Sequence, residues 1–262
     1  MKYGFLGCGN MGGAIARAVS KATNSIMLTD RSGKAKAIAD ELGCIYTDAA
    51  QIANECERIF LAVKPQMMVS ALAPINEILK ERKPLLITMA AGLKMADIYD
   101  IIGCDLPVIR IMPNTPVAIG MGMTVYCCND LVHPDVLADF IEDMRFSGHM
   151  DVLPEHLIDA ASAISGSGPA YVYVFMEALA DGAVSCGIPR AKALEYAAVT
   201  MVGAANLMLS SGQHPGALKD AVCSPAGSTI AGIQVLEERG FRGSVMDCVI
   251  AAYQRNKELG QK

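Results

Sequence analysis

The stretch Tyr3-Gly4-Phe5-Leu6-Gly7-Cys8-Gly9-Asn10-Met11-Gly12 leaves this chain few ways to begin folding. A short apolar run meets three glycines spaced G-x-G-x-x-G, and the helix formers Ala14-Ile15-Ala16-Arg17-Ala18-Val19 follow. The pattern predicts a strand, a tight turn and a helix start. Gly7 takes the turn, Gly9 lets the backbone approach a pyrophosphate, and Gly12 lets helix and strand pack closely. Unpaired N–H groups at the helix N-terminus then face the phosphates. The glycine spacing alone is a weak signal, and a purely structural turn is the bland alternative. The flanking strand and helix supply the context that favours dinucleotide binding by residues 7–12.

Downstream, Ser25-Ile26-Met27-Leu28-Thr29-Asp30 reads as a second strand ending in an acid, 18 residues past Gly12. A Rossmann fold places there the carboxylate that binds the adenosine ribose, whereas the neighbouring Arg31 suits a 2′-phosphate. NADH and NADPH both stay open, and Asp30 or Ser32 could simply cap the next helix. The alternation continues with helices over 34–42 and 49–56, and strands over 44–46 and 58–63. That last strand ends at Lys64-Pro65-Gln66 and one further helix is predicted to reach Arg82, then a strand over 85–89, a helix near 95–102 and a strand over 108–112. Strands near 122–127 and 149–153 and a helix near 134–145 complete this half. The near-continuous apolar run Arg58-Ile59-Phe60-Leu61-Ala62-Val63 fits a strand buried on both faces of a parallel sheet. Three successive strands end in V-K-P, A-A-G and M-P-N-T-P. Such carboxyl ends line the ligand crevice of an open α/β sheet, although each is also ordinary turn chemistry.

The remaining half is different. Strand and helix stop alternating after Pro154, which divides the chain into an α/β domain (1–154) and an all-α domain (155–262). A predicted helix over 190–210 is apolar nearly all round and so needs cover on every side. About a hundred helical residues cannot supply that cover alone, and an obligate homo-oligomer is expected. Leu218 to Gly232 reads as a small, hydroxyl-rich loop feeding a helix to about Arg239; its exposed N–H groups suit a carboxylate. The plain alternative is a helix start with Pro225 at the first position.

Composition narrows the partners. At 262 residues and 52% hydrophobic the chain is globular, with room for one large or two ordinary domains. A net charge of −5 with dispersed Lys and Arg argues against a nucleic-acid surface. Nine cysteines without a C-x-x-C pair read as small hydrophobes of a reducing compartment. Four histidines without metal-ligand spacing make a metal unexpected. Gly7, Gly9 and Asn10 interrupt the N-terminal apolar run, so no secretory signal is read there. The apolar stretch 197–209 is short for a membrane span. A cytoplasmic protein is expected.

Taken together, G-C-G-N-M-G (7–12), L-A-V-K-P-Q (61–66), A-A-G (90–92), R-I-M-P-N-T-P (110–116), S-G-S-G-P-A-Y (165–171) and S-P-A-G-S-T-I-A-G (224–232) resemble the pyrroline-5-carboxylate reductases. The matches run through the chain in that family's order. The resemblance implies a Rossmann-type, mostly parallel sheet followed by an all-α dimerisation domain, as a homodimer or an oligomer of dimers. It implies NADPH, or NADH, reducing a cyclic imine to L-proline. Thr229 would contact the ring nitrogen, and Ser224, Gly227 and Ser228 would hold the carboxylate. Asn114 would shape the pocket. Gly7, Cys8, Gly9, Asn10, Met11, Gly12, Asp30, Arg31, Val63 and Lys64 would bind the cofactor, with Ala91 near the nicotinamide.

There are departures. Ala226 and Ser228 stand where the family commonly shows Gly and Thr or Ala. Cys223 stands where a hydroxyl residue is usual, and Ala49 where some members carry Asn. Two rivals are weaker. A β-hydroxyacid dehydrogenase would use a lysine within a glycine-rich helix of the second half, and Lys192, Lys219, Lys257 and Lys262 lie in no such motif. A serine hydrolase reading of Ser167 lacks the G-x-S-x-G spacing.

Overall fold

A computed structural model describes residues 1–259. Contacts divide them into two compact units, Met1–Ser167 together with the chain from Ala252, and Gly168–Ala251. The first unit is an eight-stranded sheet in the order β3-β2-β1-β4-β5-β6-β7-β8. Its strands are β1 (Tyr3–Leu6), β2 (Ile26–Thr29), β3 (Ile45–Tyr46), β4 (Arg58–Leu61), β5 (Leu85–Thr88), β6 (Val108–Met112), β7 (Gly122–Cys128) and β8 (Gly148–Val152). All neighbouring pairs are parallel except β6 and β7. The order reverses at β1, between β2 and β4, which is where an open α/β sheet forms its ligand crevice.

Side-chain alternation along the strands builds two cores. Tyr3, Phe5, Phe60, Ile87 and Ile109 pack beneath α1 (Asn10–Val19), α2 (Lys34–Leu42) and α7 (Pro134–Asp143). Leu6, Ile59, Leu61, Leu86 and Val108 pack on the other face beneath α3 (Ala49–Glu55), α4 (Met68–Leu72), α5 (Asn76–Arg82) and α6 (Met95–Ile102). A sheet buried on both faces explains why the central strands read as continuous apolar runs.

Two expectations need correction. The single helix predicted between Lys64-Pro65-Gln66 and Arg82 is broken: a 3₁₀ turn at Pro65–Met67, α4, a second 3₁₀ turn at Ala73–Ile75, then α5. Pro74 sits in the second turn, where it removes a helical N–H donor. The helix expected near 134–145 ends at Asp143 and passes into a 3₁₀ turn, Met144–Ser147.

α8 (Glu155–Ser165) closes the first unit. The second is wholly helical: α9 (Gly168–Ser185), α10 (Arg190–Ser211), α11 (Pro215–Ala221), α12 (Ser228–Glu238) and most of α13 (Phe241–Leu259). The chain from Leu218 to Ala221, expected as loop, is the end of α11. The proline at a first helical position is Pro215, capped by His214, and Pro225 precedes α12 instead of opening it. In α10 only Ala193 and Ala197 are buried, while Val199, Val202, Leu207 and Leu209 are exposed.

Candidate active site

The crevice at the β1 reversal is a cleft of about 460 Å³. Gly7, Cys8 and Gly9 form its floor, Asp30 and Arg31 one side, and Val63 and Lys64 another. Gly7 has φ of 103°, and a Cβ there would meet the Ala62 carbonyl oxygen at 2.6 Å, so only glycine fits. At Gly12 a Cβ would lie 2.4 Å from the Gly7 oxygen, so glycine brings α1 down onto the turn. Over Gly9 the space is open, with nothing within 4 Å of an added Cβ. Gly9 is the α1 N-cap and carries no side-chain cap, which leaves the first-turn amides to an external acceptor. Open space, uncapped donors and the positive end of a helix dipole fit the pyrophosphate of a dinucleotide.

The other sequence candidates fall unevenly around this cleft. Asn10 and Gly12 begin α1, and the Met11 side chain packs against the core beside the sheet. The Cys8 thiol is buried and points toward the Thr29 carbonyl; burial pushes it up to about 12, so it stays protonated. Asp30 is tied to its own turn: Oδ1 accepts from the Gly33 N–H at 2.9 Å and Oδ2 from the Ser32 hydroxyl at 2.6 Å. It thus braces the entry to α2, whose N-cap is Gly33. Arg31 donates to the Ser70 carbonyl at 3.4 Å, across the cleft mouth. Ala91 is exposed just past β5. Asn114 is buried and fully employed: its Oδ1 accepts from Met123 N–H and its Nδ2 donates to the Ser165 carbonyl, both at 2.9 Å. It pins the end of β6 to β7 and to the end of α8.

Sequence reasoning missed the far wall, Met67, Ser70, Ala71 and Pro74. These residues come from the broken stretch read as one helix; Pro65 and Pro74 were the available signal.

In the second unit, Ser224, Gly227, Ser228 and Thr229 lie together on one turn. Gly227 N–H donates to the Ser224 carbonyl at 3.0 Å, closing a β-turn over Pro225 and Ala226. Ala226 has φ of 56°, a left-handed conformation that favours glycine. A Cβ at Gly227 would fall 2.3 Å from the Ser224 hydroxyl. Gly227 is the N-cap of α12 without a side-chain cap, so this helix too presents unpaired amides.

Residues 155–259 match the family model of pyrroline-5-carboxylate reductase dimerisation. The pyrroline-5-carboxylate reductase of Escherichia coli (strain K12) is 39% identical over 266 residues, spanning 99% of this chain and 98% of that protein. The chain belongs to the pyrroline-5-carboxylate reductase family. Two solved pyrroline-5-carboxylate reductases share its fold. One from Plasmodium falciparum with NADP bound is 32% identical, with a TM-score of 0.89 over 99% of each chain. One from Coxiella burnetii is 32% identical, with a TM-score of 0.92 over 100% of this chain and 99% of that one. Residues 2–92 match a second model, NADP oxidoreductase coenzyme F420-dependent, which spans the cleft-forming strands β1 to β5. The pyrroline-5-carboxylate reductase dimerisation region accounts for the exposed apolar surface of α10: the chain is a homo-oligomer.

Proposed function

We propose that this chain reduces the C=N bond of 1-pyrroline-5-carboxylate with NAD(P)H to form L-proline, the last step of proline biosynthesis. The observation that carries this reading is likeness to pyrroline-5-carboxylate reductases over essentially the whole chain, in sequence and in fold. When bound, the nicotinamide cofactor supplies the hydride.

The protein binds, orients and hydrogen-bonds. The imine is basic enough to arrive protonated, so the ring nitrogen needs a hydrogen-bond partner in place of a strong acid. The Thr229 hydroxyl fills that role. Hydride adds at carbon, and the π pair of the C=N bond becomes the lone pair of the amine nitrogen, which keeps its proton. The uncapped start of α12, with Ser224, Gly227 and Ser228, holds the substrate carboxylate. Gly7 to Gly12 receive the pyrophosphate, Val63 and Lys64 flank the cofactor, and Ala91 lies near the nicotinamide. Asn114 shapes the pocket through the two backbone groups it holds.

NADPH is the preferred cofactor and NADH the alternative: Arg31 is exposed on the cleft and bonded only to the uncharged Ser70 carbonyl, so its charge is available to a 2′-phosphate, while the Asp30 carboxylate already serves its own turn. Residues 1–154 act as the dinucleotide-binding domain and 155–262 as the dimerisation and substrate domain, in a homodimer or an oligomer of dimers. The net charge of −5 with dispersed Lys and Arg favours an enzyme acting without nucleic acid, and nine unpaired cysteines favour the reducing cytoplasm. The test is oxidation of NADPH or NADH by the purified chain with 1-pyrroline-5-carboxylate, with proline quantified. One proline per cofactor oxidised is expected. Folded protein that binds cofactor but makes no proline would overturn the reading.

A further inference from the structure

A second cleft, of about 400 Å³, opens at the opposite edge of the sheet, beneath the amino ends of β4, β5 and β6. Its volume lies within the range of small-ligand sites. The parallel strands send their carboxyl ends to the dinucleotide cleft, so this one is separated from it by the length of the strands.

Two features set its chemistry. Arg82 and Lys83 stand side by side on its wall at the end of α5, and among the described residues neither has a carboxylate within ion-pair distance, unlike Lys80, which pairs with Glu77. Arg82 is held in place by its own bonds: Nη1 donates to the carbonyls of Ala53 at 2.6 Å and Cys56 at 3.3 Å. Those acceptors are uncharged, so the guanidinium keeps its full charge and its remaining donors. The buried Arg58 adds a second guanidinium behind the wall; Asp143 and Asp139 neutralise it at 3.0 and 3.5 Å, and its Nε has no partner. Glu57 is the one carboxylate on the lining, and it accepts the Lys2 backbone N–H. The rest of the lining is mostly apolar: Pro84, Leu85, Pro107 and Leu131 among it.

Lys83 is also strained. With φ of 47° and ψ of 53° it is, among the described residues, one of two non-glycine residues in the left-handed region, and it precedes Pro84. Left-handed backbone disfavours a side chain, and a following proline disfavours helical backbone further. A glycine would relieve the first cost, yet the position carries a lysine.

We propose that this cleft binds a small organic phosphate with an apolar body. Two adjacent cations without a carboxylate in ion-pair reach match a dianion, whereas a single carboxylate would leave one of them uncompensated. Arg82 offers planar N–H donors and Lys83 a mobile ammonium to the phosphate oxygens. The body lies against Pro84, Pro107 and Leu131. The site needs neither the cofactor nor the imine and stands apart from the reductase reading.

The test titrates phenyl phosphate into the full-length protein saturated with NADPH, so that the dinucleotide cleft is occupied, and follows heat. Saturable binding at one site per chain is expected. Lys83→Gly, which removes the charge together with the strained side chain, keeps or raises the melting temperature and weakens binding by about tenfold. Arg82→Gln weakens it similarly. Absence of saturable binding, equal affinity in Lys83→Gly, or equal affinity for inorganic phosphate (an adventitious ion only) would each overturn the proposal.

Discussion

The Asp30 carboxylate is the residue at which cofactor choice is most exposed to test. Both its oxygens accept hydrogen bonds from the turn that starts α2, and it lies on the cleft beside Arg31. A negative charge there opposes a 2′-phosphate by about 1 kcal/mol, as for other partly exposed charge pairs. Asp30→Ala therefore raises the ratio of kcat/KM for NADPH over NADH about fivefold; an unchanged ratio would leave Asp30 as a brace for the turn and nothing more. On the other unit, Thr229→Ala removes the hydroxyl assigned to the ring nitrogen. Turnover falls by about a hundredfold while the Kd for NADPH holds, and wild-type turnover would take Thr229 out of the mechanism. Ala226 tests how stiff that turn must be. Its left-handed backbone costs about 1 kcal/mol. Glycine removes that cost but loses a similar amount to unfolded-chain entropy. Ala226→Gly should thus leave the melting temperature nearly unchanged while KM for 1-pyrroline-5-carboxylate rises as the cradle loosens. An unaltered KM would show that the turn is held by its neighbours.

At the scale of elements, α8 is docked on the sheet by a buried arginine. Arg110 of β6 is 1% exposed and reaches Asp159 at 2.7 Å and Glu155 at 3.4 Å, one helical turn apart on α8. Glu155 also accepts the Met95 N–H that opens α6, and the Asp159 carbonyl accepts from Asn256 on α13. Removing the guanidinium leaves two carboxylates without a counter-ion, and Arg110→Ala should cost about 3 kcal/mol. Arg110→Lys recovers little of it, since an ammonium cannot reach both acids from one rigid fork. Urea midpoints at fixed protein concentration measure both; a wild-type midpoint in Arg110→Ala would mean the network is replaceable by solvent. Nothing in the sequence pairs position 110 with 155 and 159, because ion pairs across a tertiary contact leave no local pattern. Strands were legible for the opposite reason. β1, β2, β4, β5 and β6 each carry a short apolar run closed by turn residues, and each falls within two residues of its expected span. The helix read as continuous up to Arg82 shows where periodicity deceives. Met68, Leu72, Ile75 and Leu79 keep helical spacing straight through the break at Pro74, and all four are buried. One buried face served two short helices. Gly7 and Gly9 were legible because backbone conformation demands them, whereas Ser70 and Ala71 on the far wall were not, being ordinary residues placed by that break.

At the scale of the whole molecule, the decisive feature is α10. This helix has 22 residues, and its most apolar 18-residue stretch has a mean hydropathy of 1.2, enough by length and composition to cross a membrane, with 11% of that stretch buried within the chain. The helix extends beyond the apolar stretch 197–209 at both ends. Two environments could cover such a helix, lipid or another copy of the chain, and the dimerisation family match over residues 155–259 selects the second. Arg190, Lys192 and Glu195 occupy its first turns, with Lys192 paired to Glu195 on the surface at 3.1 Å. Beyond them, Val199, Val202, Leu207 and Leu209 point outward on more than one side, as expected of a helix that sits in the middle of an assembly. A carboxylate placed on that surface would lose its water in the oligomer and keep it in the monomer. Burial of an unpaired charge costs several kcal/mol, and a two-fold interface would incur it twice. Val202→Glu should therefore shift the purified protein from oligomer toward monomer when its mass is measured by light scattering without detergent. α10 and the dinucleotide cleft belong to different compact units, so NADPH binding should survive in the variant while proline formation falls. An oligomer of unchanged mass would place Val202 outside the interface and direct attention to the face carrying Leu194 and Leu209.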